Sequence, residues 1–107
     1  MRLRHIKGAE QQIAESPFVI HDPEEQKGHW RDVFGNDHPI EIEVGMGKGK
    51  FIMDLAAAHP DVNYLGIERY SSVLLRALQK RAERDLSNIF FLCIDAKEMA
   101  DYFAPSE

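Results

Sequence analysis

An α/β fold of three layers, with helices on either side of a short parallel sheet, is predicted by three features of the sequence. Ile40, Ile42 and Val44 are β-branched residues at period two; they run into Gly45, Gly47 and Gly49, after which Phe51, Ile52, Leu55 and Ala56 recur at helical spacing. Strand therefore passes to helix through a glycine loop. Two further apolar stretches, Asn63–Glu68 and Asn88–Asp95, are each followed by a helical pattern, and strands that alternate with helices make parallel sheets. The last stretch is an unbroken apolar run of the kind buried on both faces of such a sheet.

Length and charge set the outer bounds. A chain of 107 residues is one small domain or a piece of a larger one. Its 44% hydrophobic and 29% charged residues describe an ordinary globular chain without repeat, low-complexity tract or membrane span. The basic opening Met1 to Lys7 is not followed by the apolar region of a secretory signal. With Cys93 alone there is no internal disulfide, which suits a reducing cytoplasm, and its place in an apolar run predicts a buried core thiol. A net charge of −5 opposes a nucleic-acid partner, so any such contact must come from local basic clusters. The densest is Arg2, Arg4, His5 and Lys7, which is either a frayed terminus or an arm that folds onto nucleic acid or onto a remainder of the protein.

In chain order, Ala9–Glu15 reads as one or two weak helical turns stopped by Ser16-Pro17, and Phe18–Ile20 as a short extended piece. Asp22, Pro23, Glu24 and Glu25 have the N-cap acid, first-turn proline and first-turn carboxylates of a helix start. Trp30, Val33 and Phe34 form the apolar stripe of that helix, which makes Trp30 a packing residue, and Gly35 ends it. Residues 1–36 are thus an N-terminal arm and helical segment, and residues 37–107 carry the sheet. Pro60-Asp61 separates the glycine-loop helix from the second strand. Ser71 or Ser72 is expected to cap a helix with Leu74, Leu75, Leu78, Ala82 and Leu86 on its apolar face. Arg69, Arg76, Lys80, Arg81 and Arg84, interleaved with Glu83 and Asp85, read as a solvated face, part of which could touch RNA phosphate. Asp95–Phe103 closes the pattern as an N-capped helix.

The glycine loop carries the chemistry. Glycines without Cβ let the backbone lie against a ligand, and a helix that opens behind them presents free N–H groups to it. A dinucleotide fingerprint, G-x-G-x-x-G, fails because Lys50 stands where its third glycine belongs. A P-loop fails because three residues, not four, separate Gly45 from Gly49, and Phe51 replaces the Mg²⁺-binding hydroxyl. What remains is E-x-G-x-G-x-G, Glu43 to Gly49, which resembles the first motif of the Rossmann-like S-adenosylmethionine-dependent methyltransferases. A tight turn that binds nothing explains one glycine and leaves three alternating ones without a reason. Glu68 follows Gly49 by nineteen residues, close to the interval that brings a ribose-binding acid back to the same sheet edge. Asp95 ends the third strand and is either a helix cap or an acceptor for an adenine amino group.

The run Ile42 to Phe51, Asn63–Glu68, the Ser72-Val73 helix start, Ile94-Asp95-Ala96 and the Met-Arg-Leu-Arg opening together resemble the first half of the bacterial tRNA (guanine-N7)-methyltransferases. The resemblance implies a Rossmann-like fold with strands in the order 3-2-1, cut before a fourth strand. It also implies S-adenosyl-L-methionine as cofactor and tRNA as substrate. It assigns Glu43, Gly45, Gly47 and Gly49 to the methionine side of the cofactor, Glu68 to the ribose, and Asp95 with Ala96 to the adenine. Arg2, Arg4 and Lys7 become weak RNA contacts. The family's catalytic acid and much of its tRNA surface are expected beyond residue 107, so no catalytic residue and no metal site is assigned, and the isolated chain is expected to be inactive. Two other functions share these residues: a methyltransferase for a small molecule or protein, and a non-catalytic cofactor-binding or assembly module. With no fourth strand, Ile40 to Val44 is expected to be an open edge that recruits a second copy or a displaced N-terminal segment.

Overall fold

The computed structural model describes residues 8–103. Three parallel strands, β1 (Ile40–Val44), β2 (Asn63–Ile67) and β3 (Ile89–Leu92), lie in the order β1-β2-β3, which is the expected 3-2-1 order read from the other edge. Val44 lies opposite Ile67 and Ile67 opposite Leu92, so the C-terminal ends of all three strands meet along one side. β2 is buried throughout, and an added Cβ on Gly66 would stand 2.3 Å from Met46 Sδ and 3.1 Å from Phe91 Cδ1. Only glycine lets the loop after β1 settle across the middle of the sheet.

Helices cover both faces. On one, α1 (Ala9–Glu15), α3 (Lys50–Ala58) and α4 (Ser71–Ala82) bring Ile13, Ile52, Met53, Leu74 and Leu78 against Tyr64 and Phe91. On the other, α2 (Trp30–Phe34) and α5 (Met99–Tyr102) flank Leu65, Ile67 and Leu92. Trp30 is fully buried, stacks on Phe103 with ring centroids 5.0 Å apart, and donates its indole N–H to the Tyr102 carbonyl at 2.7 Å. The segment before residue 37 is thereby fastened to the far end of the described chain.

Several elements differ from expectation. Instead of one helix from Pro23 to Phe34 there is a 3₁₀ turn (Pro23–Gln26), a Lys27-Gly28 turn and the short α2, because a mid-helix glycine costs about 1 kcal/mol and the tertiary seat of Trp30 sets where α2 begins. The N-cap residue of α4 is Tyr70 rather than a serine, and Ser71 and Ser72 are its first two helical residues. Met53 rather than Phe51 is buried in α3, and Ala77 rather than Ala82 in α4. Arg81 is no solvated charge, since its guanidinium covers the Phe18 ring at 4.3 Å and donates to the carbonyls of Arg84 and Leu86. Arg84 pairs with Asp54 at 3.0 Å, which ties α3 to the end of α4. Cys93, expected in the core, is exposed: β3 ends at Leu92, and the next residue leaves the sheet.

The Phe18–Ile20 piece lies along β3, with Ile20 donating its N–H to the Phe91 carbonyl and Phe91 donating to that of Phe18, both at 2.9 Å. Among the described residues β1 pairs only with β2. The N-terminal segment therefore covers the edge opposite to the one expected. The apolar contacts that Phe18 and Val19 make beside α1 and α4 hold it there.

Candidate functional site

At the C-terminal ends of the strands lies a cleft of about 440 Å³, within the usual size of small-molecule sites. Val44, Ile67, Val73 and Ile94 form its apolar walls, and Gly45, Gly47, Glu68, Asp95 and Ala96 bring backbone and carboxylates to it. It forms here because parallel strands all deliver their carbonyl ends, and the loops that leave them, to the same side.

The loop is held from both directions. The N–H groups of Gly45 and Met46 donate to the Ile67 carbonyl at 2.8 and 3.2 Å, which continues the β1–β2 pairing past the strand. Gly47 then turns with φ 62°, and its N–H donates to Glu68 Oε1 at 3.1 Å. Glu68 Oε2 accepts from the Tyr70 N–H, also at 3.1 Å. Only 7% exposed, Glu68 thus braces the glycine loop and the β2–α4 turn with one carboxylate. An added Cβ on Gly45 or Gly47 would meet nothing within 4 Å, so the backbone there faces open space. Gly49 differs: its φ is 77°, and an added Cβ would stand 2.9 Å from Met53 Cε and 3.1 Å from Ala77 Cβ. It lets α3 and α4 approach each other behind the loop and does not line the cleft.

Asp95 begins the turn after β3. Its Oδ1 accepts the Lys97 N–H at 3.0 Å, and Glu98 reciprocates to the Asp95 N–H at 3.3 Å, completing a capping box. Oδ2 takes a hydrogen bond from Arg69 Nη1 at 3.3 Å. The Lys97 N–H foremost, and Arg69 with it, hold the Asp95 carboxyl below its ordinary value. The cap and the rim-facing oxygen coexist on one carboxylate.

The structure gathers Gly45, Gly47, Glu68, Asp95 and Ala96, and leaves Glu43 and Gly49 outside. Glu43 faces a separate hollow with Glu41, Phe51 and Tyr64 beside the free edge of β1, and burial pushes its carboxyl up. The cleft lining begins at Val44, the last residue of β1, and Glu43 lies one residue short of it. Arg2, Arg4 and Lys7 lie outside the described residues. Arg69 and Tyr70 line the cleft although the sequence pattern assigns Arg69 to a solvated helix face. Their position directly after a strand-ending acid was the available signal.

A family model described as "Putative methyltransferase" matches residues 37–107. A tRNA (guanine-N(7)-)-methyltransferase of Lachnoclostridium phytofermentans is 57% identical over 107 residues, covering 100% of this chain and 50% of the relative. One of Geobacillus sp. is 52% identical, covering 100% and 49%. The chain spans about half the length of the curated relatives it matches. Among solved structures, an antibiotic-related methyltransferase aligns with a TM-score of 0.56 at 24% identity over 65% of this chain and 37% of its own. The plantazolicin methyltransferase BamL, solved with a triazolic desmethylPZN analogue and SAH, gives 0.50 at 18% identity over 90% and 34%. Both likenesses place the sheet and its crossovers in the Rossmann-like methyltransferase fold.

Proposed function

We propose, from the premise that this chain belongs to the methyltransferase family that includes the bacterial tRNA (guanine-N(7)-)-methyltransferases, that its cleft holds S-adenosyl-L-methionine for methyl transfer to N7 of a guanine in tRNA. The observation that carries this reading is the Glu68 carboxylate, seated at the end of β2 and bonded to Gly47 and Tyr70 beside glycines that face open space. The residues fit the cofactor. Each Glu68 oxygen keeps acceptor capacity for a ribose hydroxyl. Gly45 and Gly47 leave room for the methionine portion, and Asp95 with Ala96 stands where an adenine edge would lie. Glu43 lies outside the lining of this cleft.

When bound, S-adenosyl-L-methionine supplies a methyl group already activated by its sulfonium centre. Guanine N7 brings its own lone pair, so the chain's task is to orient the donor rather than to move a proton. On this reading residues 37–107 bind the cofactor, and the parts of the relatives outside the matched half position the base. Calorimetry with S-adenosylhomocysteine tests the cleft: saturable binding is expected, and none at about 1 mM would refute the reading.

In a protein of the relatives' full length Arg2, Arg4 and Lys7 serve as RNA contacts, so changing all three to alanine there should lower the salt slope of tRNA binding by up to about 1 per lost phosphate contact; an unchanged slope would remove them from the interface. No helix among the described residues is long and apolar enough to cross a membrane, and a cytoplasmic location fits a tRNA-modifying role. The free edge of β1, flanked by the exposed Val44 and Phe51, is where the chain self-associates, and a monomer in sedimentation at high concentration would contradict this.

A further inference from the structure

Arg69 is placed unusually for a surface cation. Its guanidinium donates to Asp95 Oδ2 at 3.3 Å, donates to the Tyr70 hydroxyl, and lies over the Tyr70 ring 4.6 Å from its centroid. These groups come from the ends of two different strands, Arg69 and Tyr70 after β2 and Asp95 after β3, and all three line the cleft. The bridge therefore crosses from one wall to the other. The capping box fixes Oδ1, while Oδ2 is the oxygen whose direction Arg69 sets.

We propose that Arg69 is a positioning residue for the ligand: by joining Asp95 to Tyr70 it presents an ionised, acceptor-only oxygen to a purine's exocyclic amine and steadies the aromatic wall beside it. The inference rests on the cofactor reading above and deepens it. Asp95 held in this way favours a 6-amino purine over a 6-oxo purine, because an oxo group facing a carboxylate sets acceptor against acceptor. Lysine cannot replace arginine fully, since an ammonium has no flat face to lie on the tyrosine ring while bonding the carboxylate.

The test is binding to the whole chain of S-adenosylhomocysteine and of its deaminated analogue S-inosylhomocysteine, with thermal melts to verify folding. Wild type should prefer the amino form. Because exposed pairs of this kind are worth up to about 1 kcal/mol, Arg69→Ala should cut that preference by about two- to five-fold. Arg69→Lys should restore only part of it. In an Asp95→Ala background, Arg69→Ala should change the preference no further. If wild type binds neither compound, the cofactor reading falls and takes this inference with it. If wild type binds and Arg69→Ala weakens both compounds equally, leaves both unchanged, or acts independently of Asp95, the positioning role alone is overturned.

Discussion

Replacing Glu68 by alanine separates a brace from a mere ligand contact. In the fold without ligand its two oxygens already accept the Gly47 and Tyr70 N–H groups at 3.1 Å each, in a residue only 7% exposed. Hydrogen bonds to an ionised acceptor are worth about 1.5–3 kcal/mol each. The cleft opens to solvent, and water recovers part of that for both donors, so the expected loss of stability is about 2–3 kcal/mol. At about 4–8 °C per kcal/mol for a domain of this size, the melting temperature should fall by roughly 8–24 °C. Glu68→Gln keeps one acceptor and turns an amide N–H₂ toward the other donor, so it should lose about half as much. The assay is thermal and urea unfolding followed by circular dichroism, without ligand. If Glu68→Ala melts within about 2 °C of wild type, the carboxylate does not hold the loop and the reasoning fails.

Acid unfolding should report Asp95. Its carboxyl is held below the ordinary 3.8, so its contribution is present above that value and is lost as pH falls through the lower folded value. Asp95→Asn keeps the cap acceptor without the titration, so its stability should fall less steeply in acid, and parallel pH profiles would contradict this. Trp30→Phe leaves the Tyr102 carbonyl without its indole donor and should cost about 1–3 kcal/mol in urea unfolding; a neutral result would mean that α2 is not fastened through this bond. Gly66→Ala drives a methyl into Met46 Sδ and should cost about 1–3 kcal/mol, part of which Met46→Ala should restore in the double variant. Strict additivity of the two changes would show that they do not meet.

What the sequence by itself determined is what depends on local period and spacing. Ile-x-Ile-x-Val before three glycines specified β1, its loop and α3, and the apolar runs from Asn63 and Asn88 specified the other two strands of a parallel sheet. The nineteen-residue step from Gly49 to Glu68 placed an acid beside the loop because one helix and one strand span a near-fixed distance. The tertiary structure decided what depends on which way a side chain faces and on what arrives from elsewhere in the chain. Glu43 and Gly45 sit two residues apart, yet Glu43 lines the hollow beside α3, while Gly45, past the end of β1, lines the cleft. Gly49 belongs to the same motif, but the approach of Ala77 from α4 makes it a packing glycine. Cys93 continues an apolar run, and only the end of β3 pairing at Leu92 exposes it. Arg69 reads as a helix-surface charge until Asp95, twenty-six residues later, comes within hydrogen-bond reach across the cleft. Periodicity is a property of neighbours along the chain and survives in the sequence; contacts between strand ends exist only once the sheet has brought them together.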